Sequence, residues 1–478
     1  MKKLSIAAFL LFLCMLSSCS GEDQPSSDIA DKDTSDDRSD ESVQLPDYMG
    51  ADFCLLVRTE YAHEFNADEE NGDLLNDAVY QRNLAVEQAY NININVYDQP
   101  CSYGSEATAF NTTVKASVLS GSGEYDLVAG YAATIPALVG EKLFLNWVEG
   151  DLIDFSQPWW SKKVADELTI NGKAFMITGD LSVALWENMN CVLFNKRLAE
   201  AYVVEDLYKL TSDGKWTLDR LNAYTAMIYD DIDGDETKST DDLFGYLSTP
   251  NAHIDMFQEA FEVYVTEKGQ DGFPEFALNT PHTVEVLEKV ISFVHENPGS
   301  FFTIDISNAE PVCNTIFSSG RSLFYSARLG MTVQLRDMKD DFGILPYPKF
   351  NEEQTEYHST ARDQFTVFVI PADAKDPDMT RILTDALSKA SYEQVIPTFY
   401  DVVLKTKAAR DDESGEMIDL IRDGLVFNFG YLHSTAMGSP GHIFAKLAQA
   451  GTLTLSSRWA TGEAGFNEKL EDILKIYR

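Results

Sequence analysis

Five short hydrophobic segments near the start of the body alternate between two periods, and this alternation restricts the fold more than any other feature. DFCLLVRTE (52–60) is a compact apolar run, and LLNDAVYQRNLAVEQAY (74–90) spaces Leu75, Val79, Leu84 and Val86 at helical intervals. NININVYD (91–98) then alternates Ile92, Ile94 and Val96 with asparagines, the period of two of a half-buried strand. A further amphipathic stretch (107–119) leads to EYDLVAGY (124–131), another short strand. The predicted order is strand, helix, strand, helix, strand. Strands separated by helices are expected to lie parallel in one sheet that the helices cover, an α/β arrangement.

The rest of the chain changes character twice. ELTINGKAFMI (167–177) predicts a hairpin around Asn171-Gly172. Leu218, Leu221, Tyr224 and Ile228 then share a helical face, and 253–266 and 281–296 have helical spacing as well. Strand-like runs return at SLFYSA (322–327), DFGILPYP (341–348) and QFTVFVIP (364–371). Four helical segments close the chain, at 376–391, 393–405, 415–425 and 463–477. No repeat occurs at the periods of solenoids or propellers. An α/β part, a helical part, a return to strands and more helices imply two lobes interleaved in sequence and joined by several crossings.

The amino terminus is of a different kind. Lys2 and Lys3 precede an apolar run from Leu4 to Leu16. A bilayer span needs about 20 such residues, so residues 1–18 are expected to be an export signal. Cys19 directly follows Leu16-Ser17-Ser18 and resembles the lipobox cysteine of bacterial lipoproteins, which is acylated and becomes the mature amino terminus. From Ser20 to Ser42 nine acidic residues face only Lys32 and Arg38, and Ile29 is the one large aliphatic. Such a segment buries too little apolar surface to offset the entropy of ordering, so 19–46 is expected to be a disordered acidic tether. The anchor places the body on the extracellular face of the cell membrane.

Charge and cysteines exclude several function classes. Lys and Arg total 37 against 77 Asp and Glu, a formal net charge of −40. Nucleic acid and anionic lipid both require a basic surface, so neither is an expected partner. Cys14 departs with the signal, leaving Cys54, Cys101, Cys191 and Cys313 in the body. They allow three complete pairings or four free thiols, and spacing does not choose. No CxxC, GxSxG, Walker A or HExxH occurs, and HEF (63–65) lacks a second histidine. No catalytic residue and no catalytic cofactor is therefore assigned.

Several stretches together resemble one family. They are PWWSKKVADELTINGKAFMITGDLS (158–182), FNKRLAE (194–200), DGKWTLDRL (213–221), DIDGDETKSTDDLFGY (231–246), FSSGRSLF (317–324), DFGILPYPKFNEEQTEYHS (341–359) and YDVVLKTKAARDDES (400–414). In order and spacing they are similar to the extracellular solute-binding lipoproteins of bacterial ABC importers, especially the large carbohydrate-type members. The resemblance covers most of the mature chain and implies a two-lobed periplasmic-binding-protein-like fold of type II, with three crossovers and a ligand cleft between the lobes. It places the crossings near 178–186, 322–327 and 358–363. One lobe would be 47–182 with 325–360, the other 183–324 with 361–478. It further implies a monomer that closes about its hinge on a sugar or oligosaccharide and then docks on a membrane permease.

Candidate site residues follow from the strand ends and the crossings. Ligands of open α/β sheets sit beyond the carboxyl ends of strands, which points to Glu60 and Tyr131. The crossings contribute Asp180, Trp186, Glu187, Tyr325, Arg328, Arg362 and Asp363. Flat rings cover sugar C–H faces while carboxylates and guanidinium groups meet hydroxyls, and Trp186 is expected to stack on the solute. Arg362 and Asp363 could instead pair with each other, and Trp159, Trp160 and Trp216 are expected to be core. In the acidic loop, Asp231, Asp233, Asp235, Thr237 and Asp242 approach the one-three-five-seven-twelve spacing of a calcium loop. Glycine stands at position four, and Glu236 occupies position six, where the turn glycine is expected. A structural Ca2+ is the implied occupant, with a solvated loop as the alternative. Two rival functions remain: a surface lipoprotein that degrades polysaccharide as a glycosidase or lyase, and a peptide or metal receptor on the same fold.

Overall fold

The computed structural model describes residues 45–404 and 412–478. The export signal, Cys19 and the tether up to residue 44 lie outside the described residues. Strand β1 (Ala51–Arg58) pairs in parallel with β2 (Ile92–Gln99) on one side and with β3 (Leu127–Tyr131) on the other. Its alternation does what a period of two requires. Phe53, Leu55 and Val57 pack with Met379, Leu383 and Leu387 of the helix Pro377–Ala390, while Leu56 turns to the opposite face with Phe110 and Val114. The helix Leu74–Tyr90 is started by Asp73, whose carboxylate accepts the N–H groups of Leu75 and Asn76. Asn91, in the left-handed region at φ 51°, ends it and turns the chain into β2.

The second sheet is larger. It comprises β4 (Asn190–Asn195), β5 (Tyr229–Asp230), β6 (Leu243–Ser248), β9 (Ser300–Phe302), β10 (Ser322–Arg328) and β11 (Phe342–Leu345). Its order is β11-β4-β10-β6-β5, with β9 beside β6. A separate hairpin joins β7 (Thr266–Lys268) to β8 (Pro274–Phe276). Strand β12 (Thr366–Val369) returns to the first sheet, antiparallel to β3. Both sheets belong to one unit, Pro46–Arg478. Among the described residues no helix is long and apolar enough to cross a membrane.

Three expectations about the path of the chain need correction. The segment 322–327 is not a crossing, because β10 lies inside the second sheet between β4 and β6. The strand of 325–360 stays with that sheet too, since β11 pairs with β4 through Gly343↔Phe194 and Ile344↔Leu193. The segment that follows goes the other way, with β12 set against β3 through Phe368↔Ala129. The chain thus leaves the first sheet after Ile177, which is bridged to Phe368, and returns between β11 and β12. The hairpin expected at 167–177 is reduced to a turn closed by one bridge. Asn171 and Gly172 adopt φ 50° and 70° between Ile170 and Lys173, which exchange both backbone hydrogen bonds (3.0 Å), and the helix Lys162–Leu168 precedes them. The four body cysteines are free thiols, buried except for half-buried Cys54.

Candidate functional site

The first sheet ends in a buried cation. Arg58, the last residue of β1, lies over the rings of Tyr61 and Tyr131 at 4.1 and 4.8 Å. Its guanidinium donates to the Gln364 carbonyl (3.1 Å) and the Thr366 hydroxyl (3.3 Å). Ring faces and carbonyl dipoles together replace the water that this charge has lost. The same Gln364 carbonyl accepts from Asn188 Nδ2 (3.2 Å), which also donates to the Tyr61 hydroxyl (2.9 Å). Arg328, at the end of β10, donates to Asn188 Oδ1 (2.7 Å) and Gln364 Oε1 (3.1 Å) and pairs with Glu310. One hydrogen-bonded path therefore runs from the ends of β1 and β3, through both crossing segments, to the end of β10.

Carboxylates and rings fill in around this path. Glu60 accepts the Cys101 N–H, and exposed Tyr103 stands edge-on to Tyr131 at 5.5 Å while accepting from Gln364 Nε2 (3.3 Å). Glu187 lies 3.5 Å from His63. Burial acts to lower the His63 pKa, but the hydrogen bond and charge of Glu187 outweigh it and hold it above its ordinary value. Fully buried Glu64 accepts the Ser182 and Thr366 hydroxyls (3.2 and 2.6 Å) and the Ala184 N–H (2.5 Å). It thereby fixes the short helix Val183–Glu187 to the first sheet. Burial raises the Glu64 pKa, with Arg58 opposing. Sequence reasoning misses Glu64, Asn188 and Gln364. Asn188 and Gln364 carry one signal, that they flank the predicted crossings near 178–186 and 358–363; Glu64 lies beyond the first strand and carries none.

No protein-family model matches the sequence, and no curated protein sequence matches it. Solved structures do. An ABC substrate-binding protein from Listeria monocytogenes, solved with cycloalternan, superposes with a TM-score of 0.53 at 13% identity, covering 89% of this chain and 99% of that one. The GacH receptor of Streptomyces glaucescens, solved free and with acarbose, gives 0.55 at 12% identity and covers 88% and 99%. The maltose-maltodextrin binding protein of Alicyclobacillus acidocaldarius gives 0.53 at 14% identity, covering 88% and 99%. The fold is that of the ABC solute-binding proteins.

Within this solute-binding fold the predicted site residues do not all share one space. Tyr61, Glu187, Asn188 and Arg328 line a cavity of about 400 Å³ with Phe399 and Val402. Trp186 is the immediate neighbour of Glu187, yet with Asp180, Trp160, Tyr400 and Arg422 it lines a different and larger groove of about 1000 Å³. There the Trp186 indole donates to Asp180 Oδ1 (3.0 Å) and its ring stands edge-on to Tyr400. Burial pushes the Asp180 carboxyl up to about 7. Only 5% exposed, Trp186 has no free face on which a sugar could stack.

Tyr325 is a correction. It is wholly buried beside Phe317 and donates to Asn314 Oδ1 (3.0 Å), because β10 runs through the middle of its sheet. Arg362 and Asp363 are not a pair. Arg362 turns to Asp255 (2.7 Å) and the Tyr431 hydroxyl (3.1 Å). Trp159, Trp160 and Trp216 are structural: Trp159 and Trp160 both donate to Asp385, and Trp216 donates to the Pro346 carbonyl.

The acidic loop gathers three of its five expected ligands. Oxygens of Asp231, Asp233 and Asp235 lie within 4.8 Å of one another. Glu236, at the position where the pattern expects glycine, takes the left-handed φ of 61°. Asp242 is outside this group; it is buried, accepting the Ser239 N–H (2.8 Å) and the Tyr229 hydroxyl (3.3 Å). Thr237 gives its N–H to Asp235 Oδ1. Three convergent carboxylates suit a hard cation, but the twelfth-position ligand is committed elsewhere.

Proposed function

We propose that the protein captures a carbohydrate between its two sheets and delivers it, unaltered, to an ABC importer. The observation that carries this reading is the path Arg58–Gln364–Asn188–Arg328, which joins the strand ends of both sheets across the two crossing segments. Backbone carbonyls, amides, guanidinium groups and tyrosine rings concentrate there, the chemistry that holds polyhydroxylated solutes. Of the solved structures of the same fold named above, one was determined with cycloalternan and one with acarbose, which supports the class of guest. Cys19 as a lipid anchor and 19–46 as a tether complete the proposal: a receptor that alternates between capture and delivery benefits from being held near the membrane yet free to turn. Thermal shift and calorimetry against a panel of mono- and oligosaccharides test it, followed by chromatography of the bound fraction. Binding with the sugar recovered intact is expected; shortened sugar would make the protein an enzyme. The proposal extends to a weak structural Ca2+ on Asp231, Asp233 and Asp235. The melting temperature is expected to rise in calcium over chelator, and D231N is expected to abolish the difference; equal melting would remove the metal.

A further inference from the structure

Asp363 stands in the return crossing, between Arg362 and Gln364, and is only 9% exposed. Its chain neighbour Arg362 acts on it through charge alone and gives it no hydrogen bond. Arg362 adopts φ 53°, a strained conformation for a non-glycine residue, and places its guanidinium on Asp255 and Tyr431. Arg58, the other cation near Tyr131, is engaged by two rings, a carbonyl and a hydroxyl. Asp363 Oδ1 is shielded from solvent and accepts no hydrogen bond. Asp255 shows a related deficit: its Oδ2 takes both Arg362 and Tyr431, while its Oδ1 is buried without a partner. Two buried carboxylates thus share one guanidinium.

The placement is as informative as the lack of partners. The charge of Asp363 acts on Tyr131 at the end of the first sheet and on Tyr431 beside Asp255, so the carboxylate sits where the two halves of the cleft meet. An ionised carboxylate in such surroundings is costly unless something pairs with it. A sugar hydroxyl would supply a hydrogen bond and leave the charge. An ammonium group supplies both a hydrogen bond and the opposite charge.

We propose that Asp363 anchors a protonated amine, and that the preferred guest is a sugar bearing a free amino group. This rests on the carbohydrate-capture reading above and narrows it. The same geometry disfavours uronates and other acidic sugars, which would add negative charge where two carboxylates already share one guanidinium.

The experiment is calorimetry of the full chain with length-matched oligosaccharides in three forms: free-amine, N-acetylated and plain hydroxyl, in glucose and galactose series. The free-amine form is expected to bind at least tenfold tighter than its two counterparts. Asp363→Asn is expected to weaken it about a hundredfold and erase that preference. Unliganded Asp363→Asn is expected to melt no lower than wild type, because it removes one of two carboxylates that share a guanidinium and breaks no side-chain hydrogen bond to Oδ1. Equal binding of the three forms would overturn the amine anchor and leave carbohydrate capture standing. Binding of none of them would end both. A destabilised Asp363→Asn would show that the carboxylate has a structural partner, and would also overturn the anchor.

Discussion

Asn188 shows how much of the cleft depends on single side chains. Its amide donates to the Tyr61 hydroxyl, the Ala184 carbonyl (2.8 Å) and the Gln364 carbonyl, while its oxygen receives Arg328. It is almost wholly buried, so no water replaces these bonds when the amide is removed. Asn188→Ala is expected to cost about 1–3 kcal/mol, the penalty of leaving buried polar partners unsatisfied. Urea denaturation reads this as a lower midpoint at unchanged slope. Glu259 carries the opposite lesson. Burial pushes its carboxyl up to about 8, with the Thr360 hydroxyl opposing. An unfolded glutamate titrates near 4.3, so the folded state holds the extra proton between that value and about 8. Its contribution to stability is therefore fully present below about pH 4.3 and is lost as pH rises through about 8. Glu259→Gln is expected to raise the melting temperature at pH 8.5 and to change it little at pH 4.5; an equal effect at both would show that the proton is not held.

At the scale of elements, the crossing after Ile177 depends on Gly179. A Cβ at that position would meet the Trp159 carbonyl oxygen at 2.6 Å and the Trp160 ring at 2.9 Å. Gly179→Ala is expected to cost about 1–3 kcal/mol through this overpacking and to loosen the groove around Trp186, read as lower stability and red-shifted tryptophan emission. What the sequence makes legible also divides at this scale. The first sheet is readable because β1 and β2 pair side by side in parallel, and the intervening helix has the spacing to cover them. Strands β11 and β12 are a different matter. FGIL and TVFV are buried along their whole length and show no two-sided pattern, so their sequences cannot say which sheet receives them. Only the partner decides, β4 for one and β3 for the other. The same limit applies to the site. The strand-end rule points to Glu60 and Tyr131, and the expected crossings point to Asp363 and to Arg328, which instead ends β10 within the second sheet. Adjacency suggests an Arg362–Asp363 pair that the left-handed turn at Arg362 prevents. Asp231, Asp233 and Asp235 converge as their spacing implies, whereas Asp242 is drawn inward by Tyr229 and Ser239.

At the scale of the whole molecule, the capture reading requires the two sheets to change their separation about the crossings without breaking either sheet. Asn190 donates to the Thr360 carbonyl through both its backbone and its side chain, which ties the two crossings together. Distant segments meet elsewhere too: Lys163 reaches the Asp423 carbonyl at 2.5 Å, Lys173 reaches the Ile476 carbonyl at 3.1 Å, Glu167 accepts the Phe429 N–H at 2.7 Å, and the Phe175 and Tyr477 rings stand edge-on at 5.2 Å. Bonds from partly exposed lysines contribute little net stability. A guest that touches Arg328 on one side and Tyr131 on the other gains its full set of contacts only when the halves approach, and it shifts the population by that difference. Saturating sugar is accordingly expected to reduce the radius of gyration in X-ray scattering. At a ligand concentration a hundred times Kd it is also expected to add about 2.7 kcal/mol to stability. Both changes should follow the same titration curve. Stabilisation without compaction would mean that the guest binds one half alone, and the joined path from Arg58 to Arg328 would then be a structural brace and not a hinge.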